Sequence, residues 1–314
     1  MRSEFIFEQA PFASCHASTI VEARPGKFLA AWFGGTKEGA SDVAIWLSRS
    51  SGGEWSKPEK VADEAGVPCW NPVLFREKAG TVFLFYKAGQ SPSSWSGFYR
   101  TSRDGGTTWE AAVLLPAGIY GPVKNKPIQL ASGRIVAGAS VESYRTWAAW
   151  VETSDDAGKI WKRHGPITVP GENYGIIQPT VYEIAGDRLR MLTCATERVG
   201  QICTATSDDG GESWSAAERT ELPNPNSGID AVRFADGRIV LCYNPTHTAR
   251  TPLVLGVSKD DGVTWRLGPT LEMDRGEFSY PAIIQSQDGN VHVTYTWKRQ
   301  RVRHWAISPR ELDS

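Results

Sequence analysis

The 314-residue chain has no surplus of either charge: Lys and Arg number 34, Asp and Glu 35, and the formal net charge is −1. That balance excludes a protein held to nucleic acid by a large basic excess, and gives no global attraction to an anionic membrane surface. No apolar run approaches the roughly 20 residues of a membrane-spanning helix. Cysteine is scarce and scattered (Cys15, Cys69, Cys194, Cys203 and Cys242), odd in number and without paired Cys-x-x-Cys spacing. Buried or idle thiols in a reducing compartment are therefore expected, not a disulfide or zinc framework. No His/Asp/Glu grouping has metal-ligand spacing and no glycine-rich phosphate loop occurs, so neither metal nor cofactor is expected. The opening Met1-Arg2-Ser3-Glu4-Phe5 lacks a basic segment followed by an apolar core, which predicts no signal peptide and a cytoplasmic location.

Tryptophan, by contrast, occurs 13 times, beside 31 glycines and 19 prolines. Many turn residues with many bulky ones favour an all-β architecture. The pattern Ser-x-Asp-x-Gly-x-x-Trp appears four times, at Ser102–Trp109, Ser154–Trp161, Ser207–Trp214 and Ser258–Trp265. A degenerate copy, Ser48-Ser50-Gly52-Trp55, has Ser50 in the Asp place and should cap its turn less well. A second ladder of six glycines (Gly26, Gly80, Gly133, Gly186, Gly237 and Gly289) opens apolar strands every 51 to 54 residues. A third precedes it: His16-Ala17-Ser18, Asn71-Pro72-Val73, Lys126-Pro127-Ile128, Gln178-Pro179-Thr180, Gly228-Ile229-Asp230 and Tyr280-Pro281-Ala282.

Each repeat reads as four short antiparallel strands, and six such repeats predict a six-bladed β-propeller spanning residues 1–314 as a single domain. The last repeat ends after its third strand, Arg303–Ile307. The N-terminal stretch Glu4–Glu8 is the spare strand that would complete it and remove an open sheet edge. In the Ser-x-Asp turns, Asp accepts backbone N–H bonds, Gly supplies a positive φ and Trp packs between strands, so these turns read as structural.

These boxes resemble those of the sialidase (neuraminidase) superfamily of six-bladed propellers, over essentially the whole chain. Gly121–Pro127, Pro223–Asp230 and Glu277–Pro281 are similar to segments of its BNR-repeat sialidase-like proteins. The resemblance implies a carboxylate-binding set of three arginines, a Tyr nucleophile activated by a Glu, and an Asp as acid/base. On this chain it places Tyr280 at the nucleophile and Arg250 at the third arginine. His16 stands at the first arginine's place. The second would fall near Cys194, with Arg198 four residues on, and the activating Glu near Ile176. Glu38 or Asp42 would be the acid/base carboxylate.

In a propeller the heads of the inner strands converge on the axis. The third ladder puts His16, Asn71, Lys126, Gln178, the Asn226–Gly228 turn and Tyr280 there, a polar ring that calls for partners or water. Nearby cations (Lys37, Lys87, Lys124, Arg145, Arg198 and Arg250) imply an anionic ligand, and Trp70, Trp95 and Trp147 would suit a sugar face. Arg299, Arg301 and Arg303 alternate as on one face of a strand, and are expected to line the pocket floor or, in preference, to form ion pairs with neighbours. The expected catalytic groups are thus Tyr280, His16, Glu38 and Asp42. The expected binding groups are Asn71, Lys124, Lys126, Gln178, Arg198, Asn226 and Arg250. Three functions remain open: a sialidase-like exo-glycosidase acting on a terminal acidic sugar, a uronic-acid lyase, or a non-catalytic carbohydrate-binding propeller.

Overall fold

The computed structural model describes residues 1–51 and 53–313, so Gly52 of the degenerate box lies outside the described residues. Six antiparallel sheets follow one another around an axis. Blade 1 contains Ser14–Arg24, Lys27–Gly35, Ala44–Ser51 and an outer edge made by Glu54–Trp55 and Glu59–Ala62. The inner strands of blades 2 to 6 are Cys69–Arg76, Ile128–Gln129, Ile176–Ala185, Asp230–Arg233 and Phe278–Gln285. Blade 6 is closed by the chain's start: Arg2–Phe5 pairs with Arg301–Ile307, with Ser3 opposite Trp305. The closing strand thus begins two residues before the stretch expected, and Glu8 instead pairs with Arg301 at 2.5 Å.

The second strand of each blade is buried on both faces because blades stack face to face. In blade 2, Val82, Leu84 and Tyr86 pack toward blade 1, while the alternating Phe83 and Phe85 pack toward blade 3. This explains why these strands read as near-continuous apolar runs. All five cysteines are free and buried, and burial pushes the Cys15 and Cys194 thiols up to about 12.

The Ser-x-Asp turns lead from the third to the fourth strand of a blade and pack against the preceding blade. In blade 5, Ser258 Oγ donates to Asp260 at 2.7 Å and accepts from Gly262 N at 2.8 Å, while Asp260 takes the amide and hydroxyl of Thr264. In blade 1 the corresponding Ser48 hydroxyl is buried with no partner among the described residues. The box glycine has a second reason for being there. A Cβ at Gly106 would collide with Leu29 of blade 1, and one at Gly262 with the Tyr182 hydroxyl of blade 4. Gly262→Ala therefore meets both a positive φ of 88° and a collision, whereas Gly289, at φ 86°, has open space beyond it. Gly289→Ala should cost about 1 kcal/mol, and Gly262→Ala at least twice as much. Equal losses in denaturant titrations would show that blade contact does not constrain the box.

Candidate functional site

Four inner strands break register at the same place, between His16 and Thr19, Trp70 and Val73, Ile177 and Thr180, and Ser279 and Ala282. Each break contains one left-handed residue: Ala17 (φ 55°), Asn71 (37°), Gln178 (55°) and Tyr280 (54°). These bulges re-aim side chains at the end of the barrel where the inner strands begin, here the upper face. Strand pairing extends the equivalence. Ile128 opposite Val136 makes Lys124 the blade 3 counterpart, and Ala231 opposite Leu241 makes Gly228 that of blade 5. The ring is thus Ala17, Asn71, Lys124, Gln178, Gly228 and Tyr280. This corrects the expected placement of His16 and Lys126, because the bulge shifts the count.

The two lysines plug the axis. Lys126 Nζ binds Asp230 at 2.9 and 3.0 Å and the Ala231 carbonyl at 2.9 Å. Asp230, 1% exposed, also accepts from Thr180 Oγ1 at 2.8 Å and Ile283 N at 2.9 Å, joining blades 3, 4, 5 and 6. Above it, Lys124 Nζ donates to Asn125 Oδ1 and the Ile229 carbonyl at 3.0 Å each, and to the Pro281 carbonyl. Burial lowers the Lys124 ammonium to about 8. Lys126 is therefore tied to Asp230 and the Ala231 carbonyl, and Lys124 lies 5.9 Å from the Tyr280 ring.

Tyr280 is half-buried at the centre. Gln178 Nε2 lies 3.4 Å from its hydroxyl, the His16 ring centroid 4.2 Å from its own, and the Arg250 guanidinium 5.6 Å from the ring. Burial raises the phenol well above its ordinary range, against the pull of Arg250. Burial, reinforced by Arg299, Arg250 and Lys124, drives the His16 imidazole far down, so it is neutral at pH 7. Its Nδ1 lies 3.0 Å from Thr296 Oγ1.

Around this core, beside Arg250 and Glu38, stand Arg299 and two carboxyl groups that the sequence pattern did not assign to the site, Glu277 and Glu142. Arg250 and Arg299 share one carboxylate, reaching Glu277 Oε1 at 2.9 and 3.0 Å. Burial pushes Glu277 up, but Arg299 and Arg250 together hold it below the usual carboxylate range. Arg299 also pairs with Glu38. It lies in a turn at φ 56°, outside the strand Arg301–Ile307, so the expected strand alternation does not include it. Arg301 and Arg303 do form ion pairs, with Glu8 and Glu272. Glu142 ends the second strand of blade 3. Its Oε1 is buried without a partner, and burial, then the charge of Glu38, raises its carboxyl to about 7. Its charge is also felt at Tyr280 and Cys194. No motif marks Glu142; only its ending a buried strand at the upper face could have found it.

Several expected contributors are buried or have other partners. Asp42 is exposed and holds the Thr36 amide and hydroxyl at 2.9 and 2.6 Å. Arg198 is exposed and pairs with Glu172 at 3.3 Å. Lys87 is wholly buried, bonded to the Pro122 carbonyl. Trp70 and Trp95 pack on each other in a buried cluster, so only Trp147, against Tyr174 at 4.5 Å, stays partly exposed. Asn71 is buried, and Asn226 offers its carbonyl to Arg250 at 3.0 Å. Among the described residues no group of three or more His, Cys, Asp or Glu is placed to hold a metal ion.

A family model described as BNR repeat-like domain matches residues 26–293. No curated protein matches the chain. Among solved structures, a Dyadobacter fermentans protein of unknown function is 18% identical, with a TM-score of 0.82 over 96% of each chain. The NanB sialidase of Streptococcus pneumoniae is 14% identical, with a TM-score of 0.81 over 98% of this chain and 71% of that one. The intramolecular trans-sialidase of Ruminococcus gnavus, in complex with oseltamivir carboxylate, is 14% identical, with a TM-score of 0.78 over 99% and 98%. At such identities the likeness shows a shared fold.

The axial plug gives a direct test of how the site is supported. Asp230→Ala leaves Lys126 buried without its counter-charge and should cost about 3–5 kcal/mol. A loss below about 1 kcal/mol in chemical denaturation would show that the plug does not tie the blades.

Proposed function

The chain belongs to the BNR repeat-like domain family, and from that premise we propose that it is a sialidase-like exo-glycosidase acting on a terminal carboxylated sugar. The observation that carries this reading is the pair of guanidiniums, Arg250 and Arg299, meeting at Glu277 beside Tyr280. Two arginines side by side suit a sugar carboxylate, since each presents a planar fork of donors. His16, neutral and packed on Tyr280, adds no competing charge.

In this mechanism the substrate carboxylate engages Arg250 and Arg299 and draws Arg299 away from Glu38. The anomeric carbon then lies over Tyr280. Glu142, as carboxylate, takes the phenolic proton while Tyr280 Oη bonds to the anomeric carbon and the glycosidic C–O bond breaks. Glu38, released from Arg299, relays a proton from solvent to the departing oxygen. Water then hydrolyses the tyrosyl adduct, restoring both carboxyl groups. A carboxyl raised to about 7 has the basicity this step needs near neutrality. Gln178 orients the phenol, and Trp147 with Tyr174 offers a face to the rest of the glycan.

A lyase reading draws on the same geometry, because a neutral His16 beside Tyr280 could remove an α-proton from a uronic acid. It would yield an ultraviolet-absorbing unsaturated product, which hydrolysis does not.

Tyr280→Phe should lower kcat at least about 100-fold with the melting temperature unchanged. Because Glu142 must be ionised, kcat/KM should rise with pH through about 7. Glu142→Gln should remove that rising limb. Undiminished turnover by the Tyr280 variant, or a rate falling across the same pH range, would contradict the mechanism.

A further inference from the structure

The lower face, where the inner strands turn back, carries a second concentration of positive charge that the upper site does not use. A cavity of about 420 Å³ lies there between blades 1 and 2. Three arginines line it: Arg24 at the end of the inner strand Ser14–Arg24, Arg76 at the end of Cys69–Arg76, and Arg103 within the Ser-x-Asp turn of blade 2. Ala23, the turn Ala79–Thr81 and Gly105 complete the wall, and among the described residues no carboxylate belongs to it. The walls hold the arginines over backbone. A Cβ at Gly105 would lie 3.0 Å from Arg24 Nε, and one at Gly80 3.6 Å from an Arg76 terminal nitrogen.

Other arginines near the ends of the strands are neutralised. Arg134 pairs with Asp155 at 2.6 Å and Glu212 at 2.9 Å, Arg238 with Asp236 at 2.7 Å, and Arg49 with Glu59 at 2.6 Å. Among the described residues, Arg24, Arg76 and Arg103 have neither an ion pair nor a side-chain hydrogen bond, and Arg76 Nε is buried without an acceptor. Three guanidiniums around one concavity repel one another, and the cheapest relief is an anion accepting hydrogen bonds from more than one of them. Arginine forks match tetrahedral oxyanions. The volume exceeds that of a bare ion and falls in the range of small-ligand pockets.

We propose that this cavity is a binding site for a phosphate group, separate from the upper site and independent of the activity proposed for it. The phosphate could arrive free or as the ester of a sugar, and the two are separable by titration. Thr81 borders the cavity and offers a hydroxyl to the same group.

Isothermal titration calorimetry at fixed ionic strength tests this, using the full chain with inorganic phosphate in one series and glucose 6-phosphate in the other. Saturable binding at one site per chain is expected. It should weaken at least about tenfold in Arg76→Gln and in the double variant R24Q/R103Q, and stay unchanged in Arg188→Gln, whose guanidinium pairs with Asp208 on the surface. Glucose 6-phosphate binding as tightly as phosphate, or more so, identifies an ester; binding of inorganic phosphate alone identifies the free ion. Should Arg76→Gln fail to fold, the double variant decides. Absence of saturable heat with both probes, or heat that persists undiminished in the folded variants, overturns the proposal.

Discussion

The ion pair of Lys126 with Asp230 is the interaction on which the upper site depends. A propeller has a hole along its axis, and six sheets meeting there would leave their inner edges facing water. Asp230 closes that hole by accepting hydrogen bonds from groups on blades 3, 4 and 6 while belonging to blade 5. Lys124 of blade 3, one layer above, ties to blades 5 and 6 through the backbone carbonyls of Ile229 and Pro281. The charges are buried but fully bonded, the condition under which a buried pair holds together. The result is a rigid, positively biased floor directly beneath Tyr280.

Above that floor, electrostatics separates the titrating groups. Burial pushes the carboxyl groups of Glu277 and Glu142 upward alike. Two arginines ionise Glu277, whereas Glu142, with no cation beside it and a neighbour of like charge in Glu38, is held near 7. The two carboxyl groups are thereby set to different tasks, one to fix guanidiniums and one to exchange a proton. The BNR-repeat frame determines where such groups can stand; their identities determine what chemistry the frame performs.

The repeat was legible because each box residue satisfies a local demand: a hydroxyl and a carboxylate for turn amides, glycine for φ and blade contact, tryptophan for packing. Such demands recur every blade, so they leave a period. The left-handed bulge leaves a weaker trace. It is legible as residue-Pro in Asn71-Pro72, Gln178-Pro179 and Tyr280-Pro281, but in blade 3 the same reading lands on Lys126, two residues beyond Lys124. Arg299 was hidden by its neighbours, since a turn before a strand mimics strand alternation. Glu142 was hidden because its role comes only from burial and from proximity to groups on other blades. The structure brings Tyr280, Arg250, Gln178 and His16 together, each at or beside a motif, whereas Asp42 holds Thr36, Arg198 pairs with Glu172 and Lys126 with Asp230, because residue type alone does not give a side chain's direction.

The central claim is that a sugar carboxylate replaces Glu38 on Arg299 while bridging to Arg250 over Tyr280. Crystals of the Tyr280→Phe variant soaked with sialic acid, other ulosonic acids and glucuronate test this most directly. The account predicts density for one of these sugars with its carboxylate on both guanidiniums and Glu38 moved away. A sugar bound elsewhere, or one seated over residue 280 with Arg299 still paired to Glu38, would contradict it.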